Sequence, residues 1–105
     1  MPNKNYVKGY RFERRVKKFY EKNGYYVIRS YASKGPADLY AFKPCRHCGN
    51  CLSSELLLIQ CKNYDITKRR LTGLERYNLD RLASETGGFP ILVGNINHKM
   101  HIQKL

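Results

Sequence analysis

At 105 residues the chain has room for one domain, and a domain of this size buries roughly 60 to 68% of its unfolded surface. Twenty Lys and Arg against eight Asp and Glu give a formal charge of +12, far beyond the roughly 2 to 8 units that solubility asks of a small domain, so the partner is expected to be a polyanion. No apolar run nears the roughly 18 residues of a membrane span, and the opening "MPNKNYVKGYRF" lacks the apolar stretch of a signal peptide, so the expectation is a soluble, cytoplasmic chain.

In chain order, "YVKGYRFERRVKKFYEKNGY" places Phe12, Val16, Phe19 and Tyr20 at the i, i+4, i+7, i+8 spacing of one helical face. The spacing predicts a helix from Tyr6 to Asn23, stopped at Gly24. Its other face carries Arg11, Arg14, Arg15, Lys17 and Lys18, either a phosphate-contacting surface or a solvated one.

"YYVIRS" and "ADLYAF" read as strands separated by a Ser, Lys, Gly and Pro cluster. "ELLLIQCK" is a third strand, apolar through its middle and therefore covered on both faces, with Lys62 where it emerges. Leu74, Tyr77 or Asn78, and Leu82 give a second helix from Thr72 to Glu85, capped by Thr72 and ended by Gly87 and Gly88. "FPILVGNI" and "KMHIQKL" complete the set as strands joined by a turn at Asn95 to His98. The predicted architecture is a single α/β domain, one mixed sheet flanked by helices, without a glycine-rich nucleotide loop.

Strand alternation sends Gln60 and Lys62 to one face and Ile59 and Cys61 to the other. Asp38 opens a strand expected to pair with this one, so its carboxylate can join Gln60 and Lys62 at the rim and offer oxygen to Mg²⁺ or Mn²⁺. An acid, a metal and a lysine together suit phosphodiester hydrolysis, which needs an acidified water and neutralisation of charge building at phosphorus. A second carboxylate is the usual occupant where Gln60 stands.

With these blocks in order, "KGYRFERRV", "GYYVIRSYASKGPADLYAF", "LLLIQCK" and "TGGFPILVG", the chain resembles the archaeal-type Holliday junction resolvases, the Hjc family of the PD-(D/E)XK nuclease superfamily. The resemblance runs nearly end to end. It implies a restriction-endonuclease-like fold across residues 1–105, with Glu13, Asp38 and Gln60 as magnesium ligands, Ser33 near the active-site phosphate and Lys62 as the catalytic lysine. It further implies DNA contacts from Lys8, Arg11, Arg14, Arg15, Arg29 and Lys34, and a homodimer whose two sites nick opposed strands of a four-way junction.

Gln60 departs from the family's Glu-X-Lys. An amide oxygen can still ligate Mg²⁺, but one negative charge is gone, which lowers metal affinity and removes an anion beside the lysine. Related superfamily nucleases use Gln here, so the expectation is an active resolvase, and the competing one a branched-DNA-binding protein that has lost cutting. An enzyme acting on ordinary duplex is a further reading.

Four cysteines with no export signal suit thiols or a metal better than disulfides. In the hairpin loop at about 43–54, "CRHCG" has the C-x-x-C-G form of a zinc knuckle. Cys45, Cys48 and Cys51 are candidate structural zinc ligands there, with His47, Cys61, His98 or His101 open as the fourth. Unmetallated thiols are the alternative.

Overall fold

The computed structural model describes residues 4–30, 36–43 and 55–105 and, in the first helix, the side chains from Gly9 onward. Helix α1 spans Lys4–Lys22, followed by β1 (Tyr26–Arg29), β2 (Leu39–Lys43), β3 (Glu55–Lys62), α2 (Gly73–Thr86), β4 (Phe89–Ile96) and β5 (Lys99–Lys104).

The α1 stripe forms as its spacing demands, with Phe12, Val16 and Tyr20 buried against Leu39, Ala41, Leu57, Ile59, Ile91 and Val93. Burial of side chains this size stabilises by roughly 1.5–3 kcal/mol apiece, which fixes the helix on that face of the sheet. Phe19 does not join them. It is 40% exposed and meets Tyr20 edge-on from the rim of the stripe. Gly24, at φ 93°, takes the left-handed conformation that ends the helix at little cost.

The strands lie in sequence order, β1-β2-β3-β4-β5. Pairing is antiparallel except between β3 and β4, which run parallel with Ile59 opposite Ile91 and Lys62 opposite Gly94. Such a pair needs a crossover, and α2 supplies it. Leu57, Leu58 and Ile59 are all buried, because α1 covers one face of β3 and α2 the other. The β4–β5 hairpin turns on Asn97 and His98, both at positive φ, the conformation a tight two-residue hairpin requires.

Helix α2 starts at a capping box. The Thr72 hydroxyl accepts from the Glu75 N–H, and the Glu75 side chain accepts from the Thr72 N–H. Its inward face differs from the expected one: Leu74 and Tyr77 are 70% and 62% exposed, whereas Leu79 is fully buried with Leu82 and Ala83 packed near it. The reason is rotational. Glu75, Leu79, Leu82 and Ala83 form the stripe that meets the sheet, and Leu74 and Tyr77 lie off it.

Candidate active site

Antiparallel β1–β2, antiparallel β2–β3 and parallel β3–β4 pairing bring the end of β1, the start of β2 and the ends of β3 and β4 to one rim of the sheet. The start of α2 reaches the same rim through Glu75, which pairs with Lys62. The chain's acid and lysine candidates collect there.

Asp38 directly precedes β2. Its N–H donates to the Ile59 carbonyl at 2.8 Å, and its Oδ2 accepts from the Cys61 N–H at 2.9 Å. That clamp sets the carboxylate beside the segment carrying Gln60 and Lys62. Burial pushes the Asp38 carboxyl up to about 6, helped by the charges of Glu13 and Glu75 and opposed by the Cys61 N–H and Lys62. Asp38 therefore senses the charges of Glu13, Lys62 and Glu75.

Glu13 enters from α1, where Arg29 Nε donates to its Oε2 at 2.9 Å. Arg29 also lies over the Tyr10 ring, 4.6 Å from its centroid, so it is fixed by an anion on one side and an aromatic face on the other. Lys62 Nζ meets Glu75 Oε2 at 2.6 Å, and this contact holds the Glu75 carboxyl below its usual range. Glu75 was not selected from sequence. Its one signal was the T-x-x-E spacing from Thr72, which announces a cap and says nothing of the lysine across the sheet.

The donors are oxygen throughout: the carboxylates of Asp38 and Glu13 and the amide of Gln60. That set suits a hard divalent cation such as Mg²⁺, which commonly takes one or two carboxylates and fills its shell with water and substrate phosphate. Among the described residues no three His, Cys, Asp or Glu side chains converge as a ready-made metal cage. Cys61 packs against the α1-side core, where burial pushes its thiol up. It behaves as an apolar core residue.

Of the predicted DNA contacts, Arg11 and Arg14 are exposed. Arg14, Lys17, Lys18 and Arg29 line a groove of about 370 Å³ with Tyr10 and Glu21. Arg15 is committed elsewhere in part, donating from Nη2 to the His98 carbonyl at 3.0 Å. A second groove of about 600 Å³ on the α2 side carries Arg70 and Arg76, neither of which was selected from sequence, and His101, which was weighed there only as a zinc ligand. Ser33, Lys34, Cys45, His47, Cys48 and Cys51 lie outside the described residues, as does the Lys8 side chain.

A mixed sheet with one helix on each face, an aspartate before β2 and a lysine ending β3 are the arrangement expected of the PD-(D/E)XK nuclease class. Within that class, residues 4–104 match the sequence profile of the archaeal Holliday junction resolvase (Hjc) family, and the chain belongs to it. It is 35% identical over 95 residues to the crossover junction endodeoxyribonuclease Hjc of Methanocaldococcus jannaschii, an alignment covering 90% of this chain and 64% of that protein. The chain thus spans just under two thirds of that relative's length. The fold is similar to the solved structure of Archaeoglobus fulgidus Hjc, a Holliday junction resolvase from an archaeal hyperthermophile, with a TM-score of 0.68 and 23% identity over 92% of this chain and 72% of that one. No helix among the described residues is long and apolar enough to cross a membrane.

Proposed function

We propose that this chain is a structure-selective endodeoxyribonuclease that nicks four-way DNA junctions symmetrically, as a homodimer inside the cell. The observation that carries the reading is the rim itself, where Asp38 is clamped beside the strand bearing Gln60 and Lys62 and senses the charge of Glu13. Family membership supports the choice of substrate.

Asp38, the Gln60 amide oxygen and Glu13 would hold Mg²⁺ or Mn²⁺ there. When bound, the ion supplies an acidified water and neutralises negative charge at the scissile phosphate. The protein's own residues do the remainder. Lys62 balances charge on a phosphate oxygen or orients the attacking water. Arg29 holds the Glu13 carboxylate in place through its Nε, a supporting contact of the kind that orients metal-binding groups. The Cys61 N–H fixes which way the Asp38 carboxylate faces, and the cations of α1 grip flanking phosphates without reading bases. Selectivity then follows junction shape. Ser33 stands in this proposal as a further contact to the phosphate, Lys8 and Lys34 as further cations on the DNA, and Cys45, Cys48 and Cys51 as ligands of a structural zinc that stiffens the β2–β3 hairpin.

The test is scission of a labelled immobile four-way junction beside a matched linear duplex, with Mg²⁺, with Mn²⁺ and with chelator. Paired nicks confined to the junction, lost in chelator and lost in Asp38→Asn, are expected. Junction binding without scission under either metal, rescued in Gln60→Glu, would show instead that the missing carboxylate had silenced the enzyme.

A further inference from the structure

We propose that Glu75 is a positioning residue of the site, supplying from the first turn of α2 the negative charge that Gln60 leaves out of β3. The inference rests on the nuclease reading above and concerns how that site works with glutamine in it.

Lys62 and Gln60 project from the same face of β3, so a carboxylate at position 60 would stand next to the lysine. With an amide there, the Lys62 ammonium has Asp38 within its field. An ammonium drawn to Asp38 would cancel the one carboxylate that a cation most needs. Glu75 prevents this by taking the lysine for itself, Oε2 to Nζ at 2.6 Å.

The Glu75 carboxylate is fixed at both oxygens. Oε1 accepts from the Thr72 N–H at 3.4 Å and from the Thr72 hydroxyl at 3.1 Å, while Oε2 faces Lys62. The capping box thus sets the carboxylate's direction, and the carboxylate sets the lysine's. The first turn of a helix is also where an anion is favoured by the helix dipole.

Charge balance shows the effect. Among the described residues, Glu13 is paired with Arg29 and Lys62 with Glu75, which leaves Asp38 as the anion without an ion-pair partner at the rim. Were Glu75 neutral, Lys62 and Asp38 would cancel, and the rim would carry no net attraction for a cation. The charge usually found two residues before the lysine has been moved to a helix that docks against it.

The experiment compares wild type, Glu75→Gln, Gln60→Glu and the double variant Gln60→Glu/Glu75→Gln. Glutamine can serve in a capping box, so Glu75→Gln removes the charge while keeping the helix start. Each protein is assayed for single-turnover nicking of the four-way junction, for junction affinity in chelator, for melting temperature, and for Mn²⁺ affinity without DNA, read by electron paramagnetic resonance. The expected result is that Glu75→Gln lowers nicking and Mn²⁺ affinity by about 10- to 100-fold, the range for loss of a group supporting a metal site. Junction affinity and melting temperature should hold, and the double variant should recover most of both losses. Glu75→Gln that nicks and binds Mn²⁺ like wild type overturns the inference and leaves the nuclease reading intact. So does a double variant as impaired as the single one, because the role of Glu75 would then be structural. A wild-type chain that cuts no junction overturns both.

Discussion

The Asp38 carboxyl is 8% exposed, accepts a single N–H from Cys61 among its described contacts, and is pushed by burial from an ordinary value of 3.8 up to about 6. Its proton is therefore bound more tightly in the folded chain than in the unfolded one. Between these values the folded form carries more protons, so stability falls as pH rises from about 4 to about 6 and stays at the lower level above it. The cost of holding the charge near neutral pH is on the order of 3 kcal/mol before any cation arrives. Asp38→Asn keeps an oxygen for the Cys61 N–H and sheds the charge. The metal-free variant should melt higher than wild type near neutral pH, the difference shrinking toward about pH 4, and should cut nothing. Thermal melts in chelator across that range check this. Equal melting of the two proteins at every pH would mean that Asp38 is not held against its own desolvation.

Segment 63–72 links the end of β3 to α2, and its position is set at one point by Gly94 on β4. A Cβ there would lie 2.6 Å from Ile66 Cγ2 and 2.8 Å from its Cγ1, closer than real side chains approach, and 3.0 Å from the Tyr64 carbonyl oxygen. The Asn95 N–H also donates to the Tyr64 carbonyl at 2.9 Å. Gly94→Ala should therefore push the segment off β4 and cost about 1–3 kcal/mol, the range for overpacking a filled site. Gly9, with nothing within 4 Å of its would-be Cβ, is the control whose change to Ala should not destabilise. Chemical denaturation of both variants decides it, and equal stability of Gly94→Ala and wild type would refute the packing argument. The same contrast explains what was readable from sequence. β3 and β4 were legible to the residue because their apolar runs stop at polar turns, and Asp38, Gln60 and Lys62 came together because strand alternation and pairing are local rules. The inward face of α2 was not legible. Leu74 and Tyr77 look like anchors on hydrophobicity alone, but which stripe turns inward depends on how the helix docks, and that docking also makes Glu75 the partner of a lysine 13 positions earlier.

For the whole molecule, the charge is +12, with Arg14, Lys17, Lys18 and Arg29 lining the α1 groove, and the described residues of one chain form one such rim. Resolving a four-way junction takes two cuts on opposed strands, so a single rim must act twice or two chains must act together. The homodimer proposed above suits that requirement. After a first nick, a monomer must let go and rebind a DNA whose strands can now swivel, whereas a dimer holds the second strand throughout. Leu74, Tyr77 and Phe89, exposed at 70%, 62% and 57%, offer apolar surface that a second chain could cover. Mixing wild type with a tagged Asp38→Asn chain, refolding, and isolating the mixed species therefore gives a direct reading on a supercoiled plasmid bearing an extruded cruciform. Wild-type pairs should linearise the plasmid in one binding event, and mixed pairs should stop at a single nick because only one of their rims is competent. Linear product from the mixed species at the wild-type rate would show that one rim does both cuts, and the two-site arrangement would have to be given up.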